Sequence, residues 1–289
     1  MKYTIRSQKL TVSADSKGAQ LTSIRGVDGV EYLWQGDQTV WSDQAPVLFP
    51  YVARLTGGEY CYRGKRYSLP IHGFASRMEF EAHAEFGEMR FTLRDTPETQ
   101  ACYPFPFRFA VSYRLEGSRL FQTFSVRNSG QAPMPFGLGA HPGFRVPLEE
   151  GLPFQSYAIA FPEAKAPVRI GFTEECFLSG RDVPYPLEKG ELPLAHSLFD
   201  SDAVVLRGTG SRAVLFSRSG ARYVQVDYPD MPYVGLWHRP KTEAAYVCIE
   251  PWLSLPSRQG VVEDLERQPS LYSLPAGETW QTVVSYTFG

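Results

Sequence analysis

Apolar and polar residues alternate one for one from Met78 to Phe86, where Met78, Phe80, Ala82, Ala84 and Phe86 interleave with Glu79, Glu81, His83 and Glu85. A period of two is that of an extended chain with one wet face, so the pattern predicts a strand over 78–86. Met89, Phe91 and Leu93 then alternate with Arg90, Thr92 and Arg94, which predicts a return strand after a two-residue Gly87-Glu88 turn. The same period runs through Phe107, Phe109, Val111, Tyr113 and Leu115 and stops at Glu116-Gly117-Ser118. Further strands are expected at 203–206, 213–216, 223–226, 246–249 and 280–288. Only Val261 to Gln268 carries a helical pattern.

No long Pro, Gly or Ser linker, charge run or repeat divides the 289 residues, so one domain over 1–289 is expected. Many short strands have to bury two faces, and stacked antiparallel sheets do that at this size. The expected fold class is therefore all-β, a large antiparallel β-sandwich. Composition points the same way: 25 Gly and 23 Pro are spread along the chain as frequent punctuation, and 19 Phe, 16 Tyr and 5 Trp suit a pleated surface. A net charge of -2 with no basic block argues against nucleic acid as a partner. Cys61, Cys102, Cys176 and Cys248 are too far apart for a zinc ribbon or a disulfide framework and read as reduced thiols. Met1-Lys-Tyr-Thr-Ile-Arg6 alternates where a signal peptide needs a continuous apolar stretch, and no run of 18 apolar residues follows. A cytoplasmic protein with no membrane partner is expected.

The ionisable residues that stand out lie beside Pro, Gly or aromatics at the edges of apolar runs. Glu250 follows the uncharged Tyr246-Val-Cys-Ile249 and precedes Pro251-Trp252, which predicts a carboxylate at a strand end against apolar surface. Desolvation there raises a carboxyl pKa toward that of a useful general base, whereas an edge strand would simply turn the same side chain to water. His141 lies between Gly137-Leu-Gly139 and Pro142-Gly143, an irregular backbone suited to close approach to a ligand. His72, in Ile71-His-Gly-Phe74, has a similar setting, while His83 falls on the wet phase of its strand. Each histidine could equally serve as a turn residue bonded to a carbonyl. Arg54, among Val52, Ala53 and Leu55, needs a carboxylate or ligand oxygens, which a structural ion pair would also supply. Asp200 and Asp202 flank Ser201 in a turn where capping is the commoner role. Trp237 and Trp252 could wall a sugar site or fill the core. There is no G-x-S-x-G, Walker A or H-E-x-x-H motif, and the five His are too dispersed to propose a metal by spacing. Acid/base chemistry without metal or other cofactor remains, with one partly buried carboxylate and one histidine on opposite sides of a small neutral substrate.

Five segments, in this order, resemble the aldose 1-epimerase (mutarotase) family and its LacX-like branch. They are Phe49-Pro-Tyr-Val-Ala-Arg54, His72-Gly-Phe74, Gly139-Ala-His-Pro-Gly-Phe144, Leu198-Phe-Asp-Ser-Asp-Ala203 and Cys248-Ile-Glu-Pro-Trp252. The resemblance implies an antiparallel β-supersandwich with an open sugar cleft that interconverts the α and β anomers of a free aldose. By motif it makes Glu250 the base at the C1 hydroxyl and His141 the acid at the ring oxygen. Arg54 and His72 would bind sugar oxygens, and Asp202, in preference to Asp200, a hydroxyl. The branch's His-Gly-Phe-Ala-Arg stands here as His72-Gly-Phe-Ala-Ser76, with Arg77 one place on. Two other functions fit the same segments: a hexose-6-phosphate 1-epimerase, using Arg54, Arg77 or Arg239 for phosphate, and a non-catalytic carbohydrate-binding protein. Residue types alone identify neither the sugar nor the oligomeric state.

Overall fold

Two large antiparallel sheets dominate the computed structural model, which describes residues 1–85 and 87–289. In the nine-stranded sheet Arg119–Asn128 pairs along its length with Phe107–Glu116 on one side and with the central strand Thr279–Phe288 on the other. The eight-stranded sheet runs through Val204–Arg207, Tyr233–Trp237 and Tyr246–Trp252 to the short strands Gly139–Ala140 and Val47–Leu48, with Gly143–Arg145 also paired to Tyr246–Trp252. Three smaller sheets complete an all-β supersandwich. Among the described residues no helix is long and apolar enough to cross a membrane.

One apolar cluster joins inward-facing residues of both large sheets, including Phe109, Val111 and Phe124 from the first and Val234, Leu236, Val247 and Ile249 from the second. Period two then has a consequence on the eight-stranded sheet. If Val247 and Ile249 face the core, then Tyr246, Cys248, Glu250 and Trp252 face away from it. All seven residues of Tyr246–Trp252 are nevertheless buried, because smaller apolar clusters cover that outer face: Trp252 belongs to one with Leu48 and Val205, and Tyr246 and Cys248 to another flanked by Trp34, Trp41 and Trp237. A cavity lies between those two clusters, lined by residues of both.

Most predicted strands form within a residue or two of their expected limits. The first is shorter: Glu81–Glu85 is extended, while Ala75–Arg77 is a 3-10 turn and Glu79 makes only an isolated bridge to Lys17. Glu88 already pairs with Glu85 and belongs to the return strand rather than to the turn. Phe86, the last residue of the predicted strand, lies outside the described residues. The helix expected at 261–268 does not form. Glu263–Asp264 adds a short parallel strand beside Tyr60–Cys61, and Glu263 accepts hydrogen bonds from Arg258. The α-helix is instead Pro97–Cys102, with Thr96 and Thr99 exchanging capping hydrogen bonds and Pro97 in the first turn. Thr-Pro-Glu-Thr was its signal.

Phe109 stacks on Phe49 with ring centroids 4.4 Å apart, and both are fully buried. Phe109→Ala is expected to destabilise the fold by about 3–5 kcal/mol in a urea titration. A loss below about 1 kcal/mol would show that the core closes over the gap.

Candidate active site

Glu250 is not at a strand end. It is the fifth of seven residues in a strand paired on both sides, opposite Gly235 on one neighbour. Proline 251 is tolerated because the N–H groups of Ile249 and Leu253 donate toward the Gly139–Arg145 side, so position 251 faces the same way. The ladder there is already interrupted between Ala140 and Gly143, and the proline removes a single bond. Gly139 pairs with Trp252 and Gly143 with Cys248 in one common register, which sets His141 opposite Glu250. The two side chains meet, with His141 Nε2 3.3 Å from Glu250 Oε2. They are 8 % and 1 % exposed respectively. The pair is therefore side by side, with His141 in the break between two short strands and Glu250 on the strand beside them, a correction to the expectation of groups facing each other across a substrate.

The pair lies in a cavity of about 240 Å³. Arg54, His72, His141, Asp202, Trp237 and Glu250 all line it, as does Trp252, whereas Asp200, Arg77 and Arg239 do not. Arg54 enters no ion pair within 4.0 Å among the described residues, and its charge acts on His72 and on the Cys176 thiol. His72 sits at φ 64° and accepts the Ala53 N–H through Nδ1 at 3.2 Å. The neutral ring then carries its hydrogen on Nε2 as a donor. Desolvation first, and the charge of Arg54 second, bring its pKa down to about 4, so the ring is neutral at pH 7. Asp202 also has a left-handed backbone, φ 79°, and both its oxygens are held: Oδ1 by the Ala203 N–H at 2.9 Å and Oδ2 by the Cys176 thiol at 2.9 Å. Burial, then Asp202, pushes that thiol up to about 12, so it stays protonated as a donor.

Burial pushes the Glu250 carboxyl well above the usual carboxylate range; the Trp252 indole N–H, donating to Oε2 at 3.2 Å, opposes this and the Asp202 charge adds to it. Burial, and after it His72, pushes His141 well below the ordinary imidazole value. A carboxyl with raised proton affinity beside an imidazole with lowered proton affinity forms a pair that shares one proton readily. Behind it lies the enclosed thiol of Cys248; among the described residues these three are the metal-ligating side chains that converge, with donor atoms within 4.8 Å of one another.

Aromatic rings form the walls, and two glycines make room for them. A Cβ on Gly139 would stand 2.9 Å from Trp252 Cδ1, and one on Gly143 would stand 2.8 Å from Trp41 Cζ3. The glycines around His141 thus serve close approach by indoles. Trp41, Asp43, Phe172 and Cys176 also line the cavity and were not singled out from the sequence. Trp41 and Cys176 stand in stretches without apolar periodicity or a motif, so nothing local marked them.

A β-supersandwich with an aromatic-walled hollow on the outer face of one sheet has the galactose mutarotase-like fold. A profile of the aldose 1-epimerase family matches residues 1–287, and the chain belongs to that family of sugar epimerases. It is similar to the protein LacX (plasmid form) of Lactococcus lactis subsp. lactis, at 32 % identity over 281 residues and 94 % of each chain. Among solved structures it resembles a galactose mutarotase related enzyme from Lactobacillus acidophilus, with a TM-score of 0.95, 34 % identity and coverage of 100 % of this chain and 97 % of that one. A galactose mutarotase-like protein from Lactobacillus casei ATCC 334 has a TM-score of 0.94 and 29 % identity, with both chains fully covered.

The indole hydrogen bond favours ionised Glu250. Trp252→Phe removes it, so the pKa of Glu250 is expected to move further upward, read from the carboxyl band in isotope-edited infrared spectra across pH. Movement downward, or none, would show that the indole does not act on the carboxylate.

Proposed function

We propose that the protein is a cofactor-independent aldose 1-epimerase acting on a free aldohexose, with Glu250 as base and His141 as acid. One observation carries this reading: the carboxylate and imidazole are in contact, side by side, at the wall of the cavity. The oxygens that must lose and gain a proton, the anomeric hydroxyl and the ring oxygen, are bonded to the same carbon, so an acid and a base for them belong next to each other.

Glu250 takes the proton of the C1 hydroxyl while His141 Nε2 gives one to the ring oxygen. The C1 to ring-oxygen bond breaks as the C1 carbonyl forms. Rotation about C1 to C2 turns the other face of the aldehyde, the freed hydroxyl adds back, its proton returns to His141, and protonated Glu250 returns its own to O1. The pair holds the same number of protons before and after, so no outside acid or base is needed. Arg54 and neutral His72 donate to sugar oxygens, Asp202 accepts from a hydroxyl, and Trp237 offers its ring to the apolar face of the sugar. The lining supports an uncharged substrate: of the three arginines considered for a phosphate only Arg54 reaches the cavity, and Asp43, Asp202 and Glu250 would repel one. An apolar core running from Ile5 to Phe288 supports a single domain over 1–289, and four free thiols support a cytoplasmic setting.

Polarimetry of freshly dissolved α-glucose and α-galactose tests the reading. The protein is expected to speed their relaxation, and Glu250→Gln to lower kcat by several orders of magnitude with little change in KM. Heat of sugar binding with no faster relaxation would instead identify a carbohydrate-binding protein, and inhibition by inorganic phosphate would favour a phosphorylated substrate.

The pH profile has a defined sign. The productive pair carries one proton: at low pH a second proton silences the base, and at high pH loss of the shared proton silences the acid. A bell in kcat/KM is expected, and burial broadens it, because the lowered proton affinity of His141 pulls the acidic limb down while the raised proton affinity of Glu250 pushes the alkaline limb up. A profile with no alkaline limb, or one narrower than that of an ordinary Glu and His, would contradict the pairing.

A further inference from the structure

We infer that Trp41 is a positioning residue that holds the His141 imidazole in place, doing by ring stacking what a hydrogen bond to the second ring nitrogen does in most proton-transferring histidines. The inference rests on His141 acting as the acid. A histidine that moves protons through one nitrogen is ordinarily oriented by a carbonyl or carboxylate at the other. His141 has no such partner on another residue: Nδ1 is buried and forms no hydrogen bond with any other described residue, in a side chain about nine-tenths enclosed. Its 3.3 Å contact with Glu250 involves Nε2 alone and leaves the ring free to turn about that contact.

The ring is instead held by other rings. Trp41 lies over its face with centroids 5.1 Å apart and planes 29° from parallel, while His72 and Trp237 each meet it edge-on at 5.6 Å. Edge contacts alone leave a ring free to swing, and a face laid against an indole restricts that swing. Trp41 is itself immobilised. Its other contacts are a stack on Tyr246 at 5.3 Å and an edge against Trp237 at 5.4 Å. Its carbonyl accepts from both Trp34 Nε1 and the Asp37 N–H at 2.9 Å, and its turn is closed by Asp37 Oδ1, which accepts from the N–H and hydroxyl of Thr39. Gly143, whose missing side chain leaves the space for Trp41, is two residues from His141, so one segment supplies both the imidazole and the room for its support.

The experiment compares wild type with Trp41→Leu, Trp41→Met and Trp41→Phe. Polarimetric kinetics are expected to show kcat falling by about 100-fold in the Leu and Met variants, as a misplaced catalytic group does, with KM changed by less than about threefold. Trp41→Phe, which keeps a flat face, is expected to recover most of kcat. The ¹⁵N signals of the His141 ring in the sugar-free protein are expected to report one tautomer in wild type and Trp41→Phe, and averaged tautomers in Trp41→Leu and Trp41→Met. A rise in KM with kcat intact would make Trp41 a sugar-binding wall only, and unchanged ring signals would equally overturn the assignment. Two non-aromatic variants guard against one that fails to fold. The spectroscopic arm needs no turnover: ring signals that respond to Trp41 in a protein without mutarotase activity would leave the positioning role standing and remove the proposed function.

Discussion

Placing a carboxylate in the interior of a seven-residue strand where every position is buried is the constraint around which this molecule is arranged. An isolated carboxylate so enclosed would be several kcal/mol less favourable than in water. Glu250 is tolerated because its surroundings answer it: an indole N–H on one oxygen, an imidazole nitrogen beside the same oxygen, and a cavity open to polar ligands. The same enclosure raises its proton affinity and lowers that of His141, so the feature that makes the site costly to fold is also the one that displaces both groups from their ordinary values, as is common where protons are moved.

Sheet geometry delivers this pair with little freedom for error. His141 and Glu250 are 109 positions apart in the chain, yet one register aligns Gly139 with Trp252 and Gly143 with Cys248 and so sets the two opposite each other. A slip of a single residue would turn Glu250 into the sandwich core and Ile249 into the cavity. The hydrophobic content of the strand guards against it, since Val247 and Ile249 are fully buried in the cluster that joins the two large sheets.

The second organising device is the use of absent side chains. Gly139 and Gly143 bracket His141 and admit Trp252 and Trp41, while Gly235 on the next strand lies opposite Glu250, where a Cβ would press to 3.2 Å from Trp252. Aromatic walls can thus approach the Glu250 carboxylate and the His141 imidazole closely. Asp202 and His72, both on left-handed backbone, are turned toward the same cavity by tight loops, and backbone strain of this kind gathers at functional sites.

Alternation along single strands made the all-β class legible, because period two is a local property and survives whatever the rest of the chain does. The motifs around Arg54, His72, His141, Asp202 and Glu250 were legible too, since each sets an ionisable group beside apolar residues or rigid backbone, and all five line one cavity together with Trp237. Local pattern failed where non-local contacts decided. Residues 261–268 have a helical period, but Glu263–Asp264 pairs with Tyr60–Cys61, two hundred positions away. Pro251 reads as a strand end until the broken ladder beside it is known. Trp41 and Cys176 carry no local signal, because what matters about them is the ring and the carboxylate they touch across the fold. Fold class and the available chemical groups were readable from the chain alone. That the Glu250 carboxylate and the His141 imidazole stand side by side, and that Arg54 rather than Arg77 or Arg239 reaches the cavity, are distances between segments whose spacing in the chain carries no information about their separation in space.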